Sequence, residues 1–266
     1  MLYCSLNGIR TEDISITDRG LAYGDGVFTT AKIVDGTILL LMEHIERLKE
    51  SCARIALSDI DWHALKAELV KQSTAFPLAV LKVMITAGTG GRGYSRIGVS
   101  KPNVIVMVHE FPKHYIDWQQ AGVSIGIAKT RLGINPNLAG IKHLNRLEQV
   151  LIRKELDESQ WQDLIVTDVQ NNIVETSCAN VFWIKNNDVF TPELGSSGVS
   201  GLLRNQTIRQ LSEIKLIKEP LDSLVDIDAM IICNSVMGYV PVKNFNGHTL
   251  SLSVASRFIG KLVCNS

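Results

Sequence analysis

β-prone segments alternate with segments of helical period along the whole chain of 266 residues. Residues 29–34 and 37–41 are β-prone and are separated by Asp35 and Gly36, a pair that is favoured in the tight turns of β-hairpins. Apolar residues at helical spacing follow and predict an amphipathic helix over residues 43–55. Because strands and helices are mixed in this way throughout, the sequence predicts an α/β or α+β class.

The rest of the chain continues this alternation. The same reasoning predicts further helices over residues 62–74, 144–158 and 202–214, strands over 79–87, 103–110, 123–129, 181–185 and 230–234, and a hairpin from 163–168 and 173–175. The segment that ends at Gly122 mixes proline, polar and aromatic residues and predicts a connection between two halves. We therefore divide the chain into residues 1–112, a connection at 113–122, and residues 123–266.

The charge balance excludes some classes of partner. The chain has 27 basic and 27 acidic residues, whereas a protein that binds nucleic acid through phosphates needs a basic surface. Its longest apolar runs are far shorter than the roughly 20 residues that cross a bilayer, and the first residues do not resemble a signal peptide. We therefore expect a cytoplasmic protein with no nucleic-acid or membrane partner. The zero net charge adds little solubility, which favours an oligomer that buries apolar surface.

The cysteines and histidines do not predict a metal site or disulfides. Five scattered cysteines form no C-x-x-C pair, and we interpret each as a small buried apolar residue in a reducing compartment. No H-E-x-x-H motif is present, and the six histidines are not spaced as ligands on one helical face. We therefore predict no metal.

Two motifs match known patterns only in part. Gly88, Gly90 and Gly93 satisfy G-x-G-x-x-G after a predicted strand, but no helix follows to hold a dinucleotide pyrophosphate. Two interpretations of this loop remain open: a mobile loop that carries Arg92 into a site, and a plain hairpin loop. Ser200 lies in G-V-S-G-L, which lacks the last glycine of the G-x-S-x-G motif of serine hydrolases.

Lys142 is a candidate amine nucleophile. It follows the apolar run L-A-G-I and immediately precedes a predicted amphipathic helix. A positive charge at a helix N-terminus opposes the helix dipole, and partial burial would lower the pKa of the amine in the same direction. A lysine with a lowered pKa is a usable nucleophile. The alternative is an ordinary charged residue at the helix start.

Two further stretches supply an acid and a phosphate site. Glu175 ends a β-prone run among apolar and small residues, where an unpaired charge would be costly, so it needs a partner. Residues 198–204 form a loop that leads into a predicted helix, whose free N–H groups and positive dipole suit a phosphate. An amine nucleophile, a buried acid and a phosphate site are together the groups that pyridoxal 5'-phosphate requires.

At these residues the chain resembles the class IV aminotransferase-like family of pyridoxal-phosphate enzymes. The resemblance covers nearly the whole chain through motifs at residues 18–30, 44–48, 88–95, 138–149, 175–180, 201–204 and 233–235. It implies the fold of type IV enzymes, with a small N-terminal α/β domain and a larger C-terminal pseudo-barrel domain. It also implies a homodimer with the site between the two domains.

The resemblance also implies roles for cofactor-binding residues. Lys142 would carry the cofactor covalently and later move protons, and Glu175 would keep the pyridine nitrogen protonated. Arg47 would contact the phosphate through charge-assisted bonds. The remaining phosphate ligands would be the N–H groups of Leu202 and Leu203, the side chain of Ser235 and the N–H of Val236.

Substrate choice depends on departures from the family's transaminases, which usually carry an acidic residue after the aromatic residue at the position of Phe28. Here two threonines follow Phe28, and the resemblance implies that Thr30 faces the cofactor and assists proton transfer. Arg92 and Lys82 would bind substrate carboxylates beside Phe28. The family's usual tyrosine at the cofactor ring oxygen is not evident in this chain, where leucines fill the corresponding positions.

Within the family, the chain looks most like the lyases of folate biosynthesis. These enzymes convert 4-amino-4-deoxychorismate to 4-aminobenzoate and pyruvate. One alternative is a transaminase for branched-chain or D-amino acids, which would transfer an amino group to 2-oxoglutarate. A second alternative is a binding protein that kept the scaffold and lost the cofactor.

Overall fold

The computed structural model describes residues 1–263, and contacts within the chain divide it into two compact units. The first unit comprises Met1–Pro112 together with Lys142–Asn145, and the second comprises the rest of the described chain. The four residues from Lys142 are grouped with the first unit because their backbone pairs with its third strand. The N–H of Phe28 donates to the carbonyl of Lys142 (2.8 Å), and the N–H of Leu144 donates to the carbonyl of Gly26 (2.9 Å).

The first unit is an antiparallel sheet with helices. Its elements are β1 (Tyr3–Leu6), β2 (Ile9–Arg10), α1 (Arg19–Tyr23), β3 (Gly26–Val34), β4 (Thr37–Ile38), α2 (Leu41–Arg54), α3 (Trp62–Ser73), β5 (Leu78–Thr86) and β6 (Asn103–Glu110). The six strands are ordered β2-β1-β6-β5-β3-β4, and each neighbouring pair is antiparallel. The predicted hairpin at Asp35-Gly36 is confirmed as β3 and β4.

Strand β3 has one buried face and one partly exposed face. Val27, Thr29 and Ala31 are buried on the side where α2 packs, and the intervening residues Phe28 and Thr30 are only partly buried. Successive side chains of a strand point to opposite faces, so this alternation follows directly from the strand geometry. The strand therefore presents a different set of side chains to each side of the sheet.

The second unit contains a larger mixed sheet. Its elements are α4 (His114–Ala121), β7 (Val123–Ile127), α5 (Leu147–Asp157), β8 (Asp163–Thr167), β9 (Ile173–Thr176), β10 (Asn180–Lys185), β11 (Asp188–Pro192), α6 (Leu202–Gln210), β12 (Lys215–Ile217), a 3₁₀ turn (Leu221–Leu224), β13 (Ala229–Asn234), β14 (Gly238–Phe245), β15 (His248–Thr249) and α7 (Leu252–Val263). The strands are ordered β12-β11-β10-β13-β14-β7-β8-β9, with β15 on β14. Because β9 at one end contacts β10 and β11, the sheet is curled.

Most predicted elements are confirmed, and the mixed α/β class is correct. The segment 113–122, predicted as a connection, contains helix α4, which belongs to the second unit. The Nε2 of Gln119 on this helix donates to the carbonyl of Met237 (2.6 Å). Helix α5 begins at Leu147 rather than at residue 144, because residues 142–144 pair with β3. Several elements were not predicted, among them strand β14, which contains Pro241.

The cysteines in the described part of the chain form no disulfide. Cys52 and Cys233 are buried as predicted, Cys4 is half-buried, and Cys178 is exposed, so for Cys178 the prediction of a buried residue is wrong. Cys264 lies outside the described residues. Within residues 1–263, no group of His, Cys, Asp or Glu side chains is arranged to hold a metal ion, and no helix has the length and apolarity to span a membrane.

Candidate active site

Lys142 lies beside the start of strand β3. Its carbonyl accepts from the N–H of Phe28, and His143 forms an isolated bridge with Val27. The Nζ of Lys142 lies 4.7 Å from the centroid of the Phe28 ring, at a distance typical of a cation–π contact. The lysine is thus held by strand pairing and not by a helix start. The helix-dipole argument made from the sequence is therefore wrong, because α5 begins five residues later.

Lys82 and Thr30 belong to the same group of side chains as Lys142. Thr30 lies directly opposite Lys82 in the pairing of β3 with β5, and the Nζ of Lys82 lies 5.3 Å from the Phe28 ring centroid. Burial lowers the pKa of Lys82. Two ammonium groups therefore contact one aromatic ring beside a threonine hydroxyl. This part of the first unit combines an amine, a proton-carrying hydroxyl and local positive charge that suits an anionic substrate.

Arg47 lies with Thr29 on the other face of β3. Its Nη2 donates to the Oγ1 of Thr29, which lies 2.6 Å from the Nδ1 of His44. Burial lowers the pKa of Arg47 to about 10. Burial, together with the positive charges of Arg47 and Lys142, lowers the pKa of His44 to about 3. At neutral pH, Arg47 is therefore charged and His44 is neutral.

Arg92 is not part of this group. It lies exposed on the glycine loop that joins β5 to β6. The buried Arg19 fixes that loop, because its guanidinium donates to the carbonyls of Gly93 (3.0 Å) and Tyr94 (3.1 Å). Arg19 in turn forms an ion pair with Asp25 (2.8 Å). The loop thus has a defined path that holds Arg92 at the surface of the first unit.

Glu175 is buried in strand β9 of the second unit. Its Oε2 accepts from the N–H of Val199 (2.9 Å), and its charge acts on the guanidinium of Arg146, opposing the lowering of the Arg146 pKa by burial. The Nη2 of Arg146 also donates to the carbonyl of Ile141, the residue before Lys142 (2.9 Å). The sequence predicted that the Glu175 carboxylate needs a partner, and the structure supplies two, the N–H of Val199 and the guanidinium of Arg146. Sequence reasoning did not identify Val199 or Arg146.

Helix α6 begins with an uncapped N-terminus. Gly201 is its N-cap and has no side chain to bond the first N–H groups, which belong to Leu202 and Leu203. The side chain of Asn180 holds the preceding loop, since its Nδ2 donates to the carbonyl of Val199 (2.9 Å). A Cβ added to Gly201 would overlap the Oδ1 of Asn180, so the close approach requires glycine. The first N–H groups of this helix are suited to an anion.

Ser235 and Val236 lie in the turn between β13 and β14. Ser235 is half-buried, but the N–H of Val236 donates to the Oδ1 of Asn234 (3.0 Å). The N–H of Met237 donates to the same oxygen (2.7 Å). The N–H of Val236 therefore already has an acceptor in its own turn, and its role as a phosphate donor stays a prediction.

A family model for class IV amino-transferases matches residues 26–245. The chain belongs to the class IV aminotransferase family. Among curated class IV relatives, the aminodeoxychorismate lyase of Vibrio harveyi is 37% identical over 245 residues, which are 91% of this chain and 90% of the relative.

Solved structures also resemble this class IV chain. The 4-amino-4-deoxychorismate lyase of Pseudomonas aeruginosa has a TM-score of 0.91 and 32% identity, with 97% of each chain covered. An aminotransferase of Mycobacterium tuberculosis, solved with pyridoxal phosphate bound, has a TM-score of 0.82 and 18% identity, with 96% of this chain and 93% of that chain covered. At that identity, the second likeness shows the fold alone.

Class IV enzymes use pyridoxal 5'-phosphate, and the residues of this chain fit that group. Lys142 supplies a primary amine beside an aromatic ring. Among the described residues, the buried Nε of Arg47 and the buried Nε2 of His44 have no hydrogen-bond partner, so both are available to an anion. In the second unit, the uncapped N-terminus of α6 and the buried carboxylate of Glu175 provide an anion site and an acid.

Proposed function

We propose that this chain is a pyridoxal-phosphate-dependent lyase that converts 4-amino-4-deoxychorismate to 4-aminobenzoate and pyruvate. The observation that carries the proposal is its similarity, over nine-tenths of both chains, to the Vibrio harveyi lyase. The geometry supports the same reaction. An amine, a hydroxyl-bearing side chain and a second cation are grouped around Phe28, which suits proton transfer on an anionic substrate.

When bound, pyridoxal phosphate supplies a ring that withdraws electrons from the substrate carbon next to the amine. The Nζ of Lys142 removes the proton from the ring carbon of the substrate that bears the amine. The bond from the adjacent ring carbon to the enolpyruvyl oxygen then breaks, and the ring becomes aromatic. The released enolpyruvate takes up a proton at its methylene carbon and becomes pyruvate. Thr30, which pairs with Lys82 in the sheet, assists this proton movement.

Other side chains hold and tune the cofactor. In the first unit, Arg47 is a ligand for the phosphate in this proposal. Within the second unit, Ser235 and the first N–H groups of helix α6, those of Leu202 and Leu203, are suited to an anion. Glu175 keeps the pyridine nitrogen protonated, and the charge of Arg146 favours the ionised form of its carboxyl group. The phosphate is thus paired with a guanidinium, with backbone N–H groups and with a hydroxyl, and the protonated ring nitrogen is paired with a carboxylate.

Lys82 binds one carboxylate of the substrate in this proposal, and the role of Arg92, which the structure does not bring into the group around Phe28, stays a prediction for the other carboxylate. Lys82 carries its ammonium over the Phe28 ring, where partial burial strengthens its interaction with an anion. Arg92 is exposed on the glycine loop and keeps a guanidinium that can bind a carboxylate through two hydrogen bonds. Phe28 provides an apolar surface for the substrate ring beside Lys82.

The reaction is tested by mixing the purified, cofactor-loaded protein with 4-amino-4-deoxychorismate. We expect pyruvate, measured by coupled lactate dehydrogenase, and 4-aminobenzoate, measured by chromatography, to form in equal amounts. Amino transfer from branched-chain or D-amino acids to 2-oxoglutarate, without release of pyruvate, would instead identify a transaminase. A colourless protein with no borohydride-sensitive absorbance would identify a scaffold without cofactor.

We also propose that the protein is a cytoplasmic homodimer. Helix α5 exposes Leu147, Val150 and Leu151, whose exposed fractions are 72%, 59% and 49%. Their spacing of three and four residues places them on one face of the helix. An apolar face of this kind is typical of a protein interface, and the zero net charge of the chain adds no overall repulsion between two copies.

Light scattering during gel filtration tests the dimer. We expect a mass of twice 29.3 kDa for the unmodified chain. Val150→Glu places a charge in the apolar face and should shift the protein to the monomer. Val70→Glu, at another exposed apolar position on helix α3, is the matched control and should leave the dimer intact. A monomer at all concentrations of the unmodified protein would contradict the proposal.

A further inference from the structure

His44, Thr29 and Arg47 form a buried polar cluster between helix α2 and strand β3. The exposed fractions of the three residues are 2%, 1% and 9%. The Nη2 of Arg47 donates to the Oγ1 of Thr29 and lies 3.4 Å from the Nδ1 of His44. The Oγ1 of Thr29 lies 2.6 Å from the same Nδ1. Both neighbours of Nδ1 are therefore groups that carry hydrogens.

These neighbours determine which nitrogen of His44 carries the proton. A guanidinium nitrogen is only a donor, so the Nδ1 that faces it is best placed as an acceptor. The hydroxyl of Thr29 accepts from Arg47 and then donates its own hydrogen to Nδ1. The imidazole is neutral, because burial and the charges of Arg47 and Lys142 lower its pKa to about 3. The single proton of a neutral ring that accepts at Nδ1 is on Nε2.

The cluster thus presents two unsatisfied donors. The Nε2 of His44 and the Nε of Arg47 are both buried, and neither has a hydrogen-bond partner among the described residues. Their residues are three positions apart on α2, which places them on one side of the helix. A buried donor without an acceptor is costly, and two on one helix face indicate a ligand that accepts from both.

We propose that His44 is a phosphate-binding residue of the cofactor site and donates from Nε2 to the same phosphate group as the guanidinium of Arg47. The proposal rests on the proposed use of pyridoxal phosphate. It adds His44, a neutral donor, to Arg47, the charged donor. A neutral donor suits this place, since a third positive charge beside Arg47 and Lys142 would be repelled. Thr29 sets the tautomer, so it is a positioning residue for this contact.

The test compares binding of pyridoxal phosphate and of pyridoxal, which lacks the phosphate, to the cofactor-free protein. His44→Asn keeps a polar atom near the position of Nδ1 and removes the donor at Nε2. We expect pyridoxal phosphate to bind roughly 10- to 100-fold more weakly, as for a lost hydrogen bond to a charged acceptor, and pyridoxal to bind as before. His44→Gln places an amide N–H near the position of Nε2 and should recover most of the affinity.

His63→Asn, at an exposed histidine of helix α3, is the control and should change neither affinity. The tautomer is measured independently by ¹⁵N NMR of the unmodified, histidine-labelled protein, which should show His44 protonated at Nε2 and shifted by inorganic phosphate. Equal losses for both ligands in His44→Asn, no loss, or a proton on Nδ1 would each overturn the proposal.

Failure of the two proposals is distinguishable. If the phosphate-specific loss is found but no pyruvate is released from 4-amino-4-deoxychorismate, His44 has the proposed role in an enzyme with another reaction. If the unmodified chain does not bind pyridoxal phosphate, both proposals are wrong. Thermal unfolding of each variant shows whether a loss reflects the fold, and the NMR measurement does not depend on any variant.

Discussion

Lys142→Ala should reduce pyruvate release by roughly a thousandfold or more, since in the proposed reaction this one side chain serves both as the covalent anchor and as the proton carrier. The lysine is held against strand β3 by backbone pairing, so removal of its side chain leaves that pairing in place. The rate is measured with the coupled pyruvate assay. The visible absorbance of the lysine-bound cofactor should also be lost.

Lys142→Arg is the matched variant, because arginine keeps a positive charge near Phe28 but is not a usable nucleophile. It should be as inactive as the alanine variant. Lys66→Ala removes an exposed lysine of the same unit and should leave the rate unchanged. Turnover of Lys142→Ala at the native rate would refute the assignment, and recovery in Lys142→Arg would show that charge alone is needed.

Glu175→Gln should lower kcat by about a hundredfold or more, with a smaller effect on stability. Glutamine keeps an oxygen that can accept from the N–H of Val199, so the loop before α6 retains its hydrogen bond. It loses the negative charge that, in the proposed function, holds the pyridine nitrogen protonated. The measurement is kcat with saturating cofactor, together with the melting temperature of the variant.

Two comparisons sharpen the Glu175 result. Glu175→Asp keeps the charge on a shorter side chain and should retain more activity than Glu175→Gln. Glu193→Gln removes an exposed carboxylate of the same unit and is the control. A kcat for Glu175→Gln within twofold of the unmodified enzyme would show that the charge has no part in the reaction.

Local pattern was sufficient to predict most of the secondary structure. The Asp35-Gly36 hairpin and helix α2 depend on turn chemistry and on helical period, which are properties of adjacent residues. The start of α5 could not be predicted in this way. Residues 142–144 have a helix-compatible sequence but pair with β3, more than a hundred positions earlier in the chain.

In the candidate site too, some features were predictable from adjacent residues, whereas others depend on residues far apart in the sequence. Lys142 was identified from its apolar surroundings and Glu175 from its need for a partner, but the partners themselves lie far away in sequence. Arg146 and Val199 come close to Glu175 only when the second unit is folded. Thr29 did carry a local signal, since it falls on the buried phase of the alternating strand β3. That signal marks a polar residue in the interior but not its contact with His44.

Strand β3 carries Phe28 and Thr30 on one face and Thr29, which contacts His44 and Arg47, on the other. Alternate residues of β3 therefore contribute to two different clusters of side chains, one on each face of the strand. If the proposed roles hold, replacement of Phe28 or Thr30 can change the reaction while the anion-binding cluster on the other face of the strand is kept. Insertion or deletion of one residue in β3 would move each following side chain to the opposite face of the sheet and disrupt both clusters. We therefore expect related enzymes with other reactions to differ from this chain by substitutions in β3, and by insertions or deletions only in the loops.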